Sequence, residues 1–135
     1  MDIIECEDKG FIKKARPNIE QAKSLMEISN IKEEEFKKIL LNEKNINAYL
    51  PMAYDSLRET MEAICISHGY KVTNHICLGE LLKKIYPQFD FTTFDRLRYA
   101  RNSINYYGEK ITLQQGKEFI EKTFKLKKDI LKLLK

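Results

Sequence analysis

The sequence predicts an all-α fold, an antiparallel up-and-down bundle of five to six helices, on three observations. Only five glycines and three prolines interrupt 135 residues, too few for the many turns of an all-β chain. Apolar residues recur at three- and four-residue steps over most of the chain, and no stretch alternates in the manner of a strand. Capping signatures stand ahead of several of these runs. A hydrophobic fraction of 43% with 33% charged residues adds a compact core under a charged exterior and excludes disorder. The length suits one domain, 1–135, in which residues 1–16 are expected to form an irregular N-terminal segment.

The stretch up to Arg16 has no clear periodicity, and Pro17-Asn18 punctuates it. Asn18, with Gln21 three residues on, opens a first helix that places Ile19, Ala22, Leu25, Met26 and Ser29 on one side and stops near Asn30. A charged segment from Lys32 to Glu43, with Phe36, Ile39 and Leu40, either continues that helix or stands alone. Asn45-Ile46-Asn47 opens a longer helix carrying Leu50, Ala53, Leu57, Met61, Ile64 and His68 on its apolar stripe, with Pro51 tolerable near the start and Gly69 as a left-handed stop. Tyr70 to Asn74 reads as polar loop. A shorter helix then runs from His75 to Tyr86 through Leu78, Leu81, Leu82 and Ile85, ended by Pro87. Thr92 with Asp95 predicts the start of a helix reaching Tyr107 and closed by Gly108, and Thr112 with Gln115 starts the last helix, whose apolar face includes Phe119, Ile120, Phe124, Leu126, Ile130, Leu131, Leu133 and Leu134.

Several function classes are excluded or disfavoured. No apolar run approaches the roughly 18 residues of a membrane span, and the acidic start from Asp2 to Asp8 is unlike a leader, so a cytoplasmic protein is expected. The three cysteines, Cys6, Cys65 and Cys77, show no CxxC spacing and predict neither a disulfide framework nor a zinc knuckle. Cys65, His68, His75 and Cys77 gather metal-preferring side chains, but at no recognised ligand spacing, and no metal or cofactor is expected. Ser67 and Ser103 lack a nucleophile-elbow context, and no Gly-rich phosphate loop is present.

Charge points to one segment. Lys plus Arg exceed Asp plus Glu by 24 to 20, a net +4 that suits a polyanion without requiring one. Most of the cations are lysines scattered among acids, but Arg96, Arg98 and Arg101 crowd into one short stretch. On a helix through Phe94-Asp95-Arg96-Leu97-Arg98-Tyr99-Ala100-Arg101-Asn102-Ser103-Ile104-Asn105-Tyr106-Tyr107-Gly108, Leu97, Ala100, Ile104 and Tyr107 form the core-facing stripe. Arg98, Arg101, Asn102 and Asn105 collect on a second stripe. Guanidinium forks bind phosphate oxygens bidentately and asparagine amides both donate and accept, so this stripe suits a phosphodiester or a base edge. The competing explanation is that these side chains satisfy one another and nearby acids between helices. Asp55, Arg58, Glu59 and Glu62 on the third segment are expected to form ion pairs of that kind.

The motif resembles the HEPN superfamily, small helical bundles in which an Arg followed by a polar residue precedes a His by a few positions near a helix end. Arg101-Asn102 matches the Arg-polar pair, Tyr106 occupies the place of the His, and Tyr107 and Gly108 follow. The resemblance implies a homodimer whose two subunits build a metal-independent ribonuclease site, with RNA as partner and a prokaryotic toxin–antitoxin or defence setting. It places catalytic positions at Arg101, Asn102 and Tyr106, flanked by Arg98, Asn105 and Tyr107 as RNA- or phosphate-binding residues. Some members pair with a small nucleotidyltransferase antitoxin that modifies a tyrosine two positions beyond the His; here that position is Gly108. A tyrosine near pKa 10 is a poor general base beside a histidine near 6.5, so RNA engagement carries over better than cleavage. The alternative expectation is a non-catalytic HEPN interaction module that binds a nucleotidyltransferase partner or its nucleotide. His68 or His75 replaces the missing proton chemistry only if the fold brings it near Arg101.

Overall fold

The computed structural model describes residues 1–134, apart from the Tyr106 side chain. Among them, six helices and one two-stranded sheet form in the order α1 Ile3–Asp8, β1 Ile12–Lys14, α2 Ile19–Phe36, α3 Ile46–Ser67, β2 Tyr70–Val72, α4 His75–Ile85, α5 Phe91–Tyr107 and α6 Leu113–Leu133. The expected helical bundle is therefore present. It is organised around α3, which packs against α2, α4, α5, α6 and β2.

α3 earns that place through its sequence. Ile46, Leu50, Ala53, Tyr54, Leu57 and Met61 are all fully buried, so apolar side chains cover far more than one stripe of this helix. Its start is fixed by the Asn42–Asn45 turn rather than by a side-chain cap: each asparagine Oδ1 accepts the other's backbone N–H at 2.8 Å. Pro51 lies in the second turn, where it withholds one N–H from the Asn47 carbonyl. α6 approaches α3 closely because Gly116 leaves room for Ile46; a Cβ at residue 116 would overlap the Ile46 side chain.

Caps follow the sequence at α2 and α6, depart from it at α5, and add Asn74, read as loop, ahead of α4. Asn18 Oδ1 accepts from the Gln21 backbone N–H, Asn74 Oδ1 accepts from that of Cys77, and Thr112 with Gln115 makes a complete capping box. α5 begins earlier than the Thr92–Asp95 pair predicts. Asp90 is its cap, accepting from the Thr93 backbone N–H at 3.1 Å and the Thr93 hydroxyl at 2.6 Å. These hydrogen bonds hold the Asp90 carboxyl below its usual range, and Asp95 is released to pair with Arg98.

Several expectations are corrected. Residues 1–16 contain α1 and β1, and the expected loop after Gly69 contains β2, antiparallel to β1 with Ile12 opposite Val72. Elements of six and three residues are too short to show a period. Gly69, at φ 84°, is needed here, because a Cβ would meet the Ala15 carbonyl oxygen at 3.0 Å. Cys6 and Cys77 form a disulfide with Cα atoms 5.6 Å apart, tying α1 to the first turn of α4; odd number and irregular spacing did not predict it, because pairing depends on a contact 71 residues apart. The segment after Asn30 continues α2 to Phe36. His68 and Ile19, expected on apolar stripes, are exposed at a helix end and a first turn.

Candidate functional site

The α5 stripe does not face open solvent. Side chains of Arg98 and Arg101 are only 16% and 15% exposed; Arg98 pairs with Asp95 on its own helix, and α3 presents Asp55 to Arg101. This arrangement is the one the competing explanation describes, in which the stripe meets nearby acids between helices. Asp55, Arg58 and Glu62 stand three and four residues apart on one face of α3. Arg58 donates to Glu62 at 2.8 Å and lies 3.6 Å from Asp55 Oδ1. Arg101 lies 3.7 Å from the same Asp55 oxygen, and Arg98 donates through Nε and Nη2 to Asp95 at 3.0 and 2.9 Å.

Asp55 thus stands between two guanidinium groups at ion-pair distance yet outside hydrogen-bond reach of both. Asp55 Oδ1 and Arg101 Nε are buried with no hydrogen-bond partner among the described residues. Such atoms carry a desolvation cost that a donor, an acceptor or a bound group would relieve. The Arg101 guanidinium is also placed over the Tyr54 ring, 5.4 Å from its centroid, where the ring face attracts a cation.

Tyr54 links this cluster to α4. Its hydroxyl is 3.2 Å from His75 Nδ1, and the two rings are 5.7 Å apart. Burial pushes the Tyr54 phenol above its ordinary range. Burial, then the positive charges of Arg58, Arg101 and Arg98, push His75 down to about 4 against a weaker opposing pull from Asp55. The fold therefore assembles Tyr54, Asp55 and Arg58 from α3, His75 from α4, and Arg98, Arg101 and Asn102 from α5.

Not every expected residue joins the cluster. Asn102 is half-buried and receives a long contact from Arg101 Nη1 at 3.5 Å. Asn105 is exposed. Tyr107, expected on the core stripe, is 77% exposed: the last turn of α5 stands clear of the bundle, and a Cβ on Gly108 would meet nothing within 4 Å. The Tyr106 side chain lies outside the described residues. Sequence reasoning passed over Tyr54 altogether, although its spacing from Leu50 and Leu57 belongs to the apolar stripe of α3. It had assigned Asp55, Arg58, Glu59 and Glu62 to ion pairs, as found; Glu59 pairs with Lys32 at 2.8 Å.

The remaining cysteine and histidine do not form a metal site. Cys77 is bonded to Cys6, Cys65 is buried alone with its thiol pushed up to about 12 by burial, and His68 Nδ1 sits 2.9 Å from the Ile64 carbonyl oxygen. Among the described residues no three His, Cys, Asp or Glu groups converge as metal ligands. A groove of about 760 Å³ runs between α5 and α6 on the other flank of α5, past Arg96, Tyr99, Lys110, Lys122 and Phe119. Among the described residues no helix is long and apolar enough to cross a membrane. Comparison of the chain with protein families, curated proteins and solved structures returns no match.

Proposed function

We propose that the protein is a HEPN-like, RNA-engaging protein whose phosphate contacts are made at the α3–α5 cluster, with Arg101 as the principal contact and Arg98 beside it. The observation that carries this reading is the loose pairing of Arg101. Its guanidinium is drawn toward Asp55 at 3.7 Å without a hydrogen bond, and its Nε has no partner among the described residues. A phosphate oxygen offers the hydrogen bonds that Asp55 does not, and guanidinium–phosphate pairing is bidentate. Exposed Asn105 and Tyr107 at the end of α5 extend the surface toward bases.

Two copies related by a two-fold axis would bring the ends of both α5 helices to one groove, as the resemblance implies. Light scattering tests this part: a monomer at micromolar concentration contradicts it. The setting that goes with the resemblance is a prokaryotic toxin–antitoxin or defence system.

A second reading, a non-catalytic module that binds a nucleotidyltransferase partner or its nucleotide, is favoured by Tyr106 in the place of the motif His and by the burial of both arginines. Incubation of purified protein with mixed RNAs, with and without EDTA, separates the two. Retention of RNA supports the first reading, and EDTA-insensitive cleavage would extend it to a metal-independent ribonuclease. Absence of both retention and cleavage contradicts it and leaves the interaction module.

A further inference from the structure

His75 is absent from the HEPN-like motif, yet the fold delivers it to the arginine cluster from a different helix. Its position is built rather than incidental. It is the first residue of α4, fixed by the Asn74 cap, and two residues later Cys77 is bonded to Cys6. The ring therefore sits on a part of the backbone held at two points.

The hydrogen bond to Tyr54 also decides which imidazole nitrogen carries the proton. Tyr54 is fully buried, and His75 Nδ1 is the partner its hydroxyl has among the described residues. A buried phenol has one proton to donate, and leaving that donor unpaired is costly, so Tyr54 donates and Nδ1 accepts. In a neutral imidazole the other nitrogen then carries the hydrogen. Nε2 makes no hydrogen bond among the described residues, and the His75 side chain is part-exposed. The charged and titratable groups around it are Tyr54, Asp55 and Arg58 on α3 and Arg98 and Arg101 on α5. Three of these are cations, which oppose a further positive charge on the ring and keep it neutral.

We infer that His75, its tautomer fixed by Tyr54, is a neutral Nε2–H donor to a phosphate oxyanion held by the arginine cluster. This rests on the reading of the cluster as a phosphate site and adds a residue to it. The arginines supply charge, whereas His75 supplies direction, because one N–H on a fixed ring selects oxygens lying in its plane. The same assignment makes His75 a weak candidate for a general base, since Nδ1 is engaged by Tyr54 and Nε2 already bears the proton.

The chain has only two histidines, so their imidazole resonances are readily separated, and His68, at the opposite end of α3, serves as an internal control. The probes are a 2′-O-methyl oligoribonucleotide, which cannot be cleaved through its 2′ position, and ATP as a free source of phosphate. Nitrogen-15 spectra of the free protein are expected to show His75 in the Nε2–H form. Binding of either probe, followed by anisotropy or calorimetry, is expected to shift His75 and leave His68 in place. His75→Ala should weaken binding about five- to tenfold, the worth of one hydrogen bond, and His75→Gln, which keeps a donor, should lose less.

If the oligonucleotide binds while His75 stays unmoved and His75→Ala binds as well as wild type, the inference is overturned and the RNA reading stands. If only ATP binds and shifts His75, the inference stands and the RNA reading falls. Both fall if neither probe binds. A free protein showing His75 protonated at Nδ1 overturns the inference directly.

Discussion

The two flanks of α3 treat buried polar groups in opposite ways. Toward α2 and α6 every such group is tightly paired. Lys127, only 1% exposed in the middle of α6, reaches α2 and donates to Glu33 at 2.7 Å and Asn30 at 2.9 Å. Nearby, Ser29 on α2 meets the Ser56 carbonyl, the Ser56 hydroxyl and the Thr60 hydroxyl on α3 at 2.6, 3.1 and 2.8 Å. Toward α5 the pairing is looser, with Asp55 at 3.6 and 3.7 Å from two arginines and two buried atoms left without partners among the described residues. Satisfied polar groups rigidify a helix interface, whereas unsatisfied ones mark a place where stability is given up. The first flank therefore holds the bundle together, and the second is where a ligand gains most.

The largest expected effect tests the tight flank. Lys127→Ala removes a packed stem and two charge-assisted hydrogen bonds, partly offset as Glu33 rehydrates, and should destabilise by about 2–3 kcal/mol in urea unfolding. RNA affinity should be unchanged once the protein is fully folded. Ser29→Ala removes the hydroxyl that meets Thr60 and the Ser56 carbonyl, while the Ser56 hydroxyl keeps the Ser29 backbone carbonyl, and should cost about 1–2 kcal/mol on the same scale. A negligible loss in either variant would erase the contrast between the flanks.

The loose flank should respond the other way round. Arg101→Ala should cost only about 1 kcal/mol of stability, because its ion pair lacks a hydrogen bond and the Tyr54 contact is modest. Asp55→Asn removes the competing carboxylate, so it should tighten RNA binding severalfold while slightly lowering stability. Weaker RNA binding by Asp55→Asn would show that Asp55 organises the arginines instead of competing for them.

The loose flank should also give stability a pH dependence. His75 titrates near 6.5 when unfolded and is held down to about 4 in the folded protein. As pH falls from about 6.5 toward 4, the unfolded chain binds a proton that the folded chain does not, so stability declines across that window. Above it, His75 contributes no slope. His75→Gln should flatten the difference, measured as the gap between the two unfolding profiles; parallel profiles would mean that the ring is not shielded.

The periodic parts of the molecule were legible in the sequence, because apolar spacing and caps act locally. Asn18, Asn74, Gly108 and the Thr112–Gln115 box sit where their chemistry requires. What escaped depends on contacts distant in the chain. The Cys6–Cys77 bond and the β1–β2 pair join the N-terminus to residues near 70. Lys127 reads as a surface lysine until Glu33 is seen opposite it. The α5 arginines were recognisable as unusual, but the contacts of Arg101 with Asp55 and Tyr54 of α3 depended on the fold. His75 could be placed beside them only by the fold, since nothing in its spacing from Arg101 connects the two.

The most direct test of the difference between the flanks is the RNA affinity of wild type, Arg101→Ala and Lys127→Ala, measured by anisotropy under conditions where circular dichroism shows all three folded. Wild type and Lys127→Ala should bind equally, with affinity falling as salt rises, and Arg101→Ala should bind at least about tenfold more weakly with a shallower salt dependence. Equal affinity of Arg101→Ala and wild type would contradict the account and make the α3–α5 cluster a structural ion-pair network.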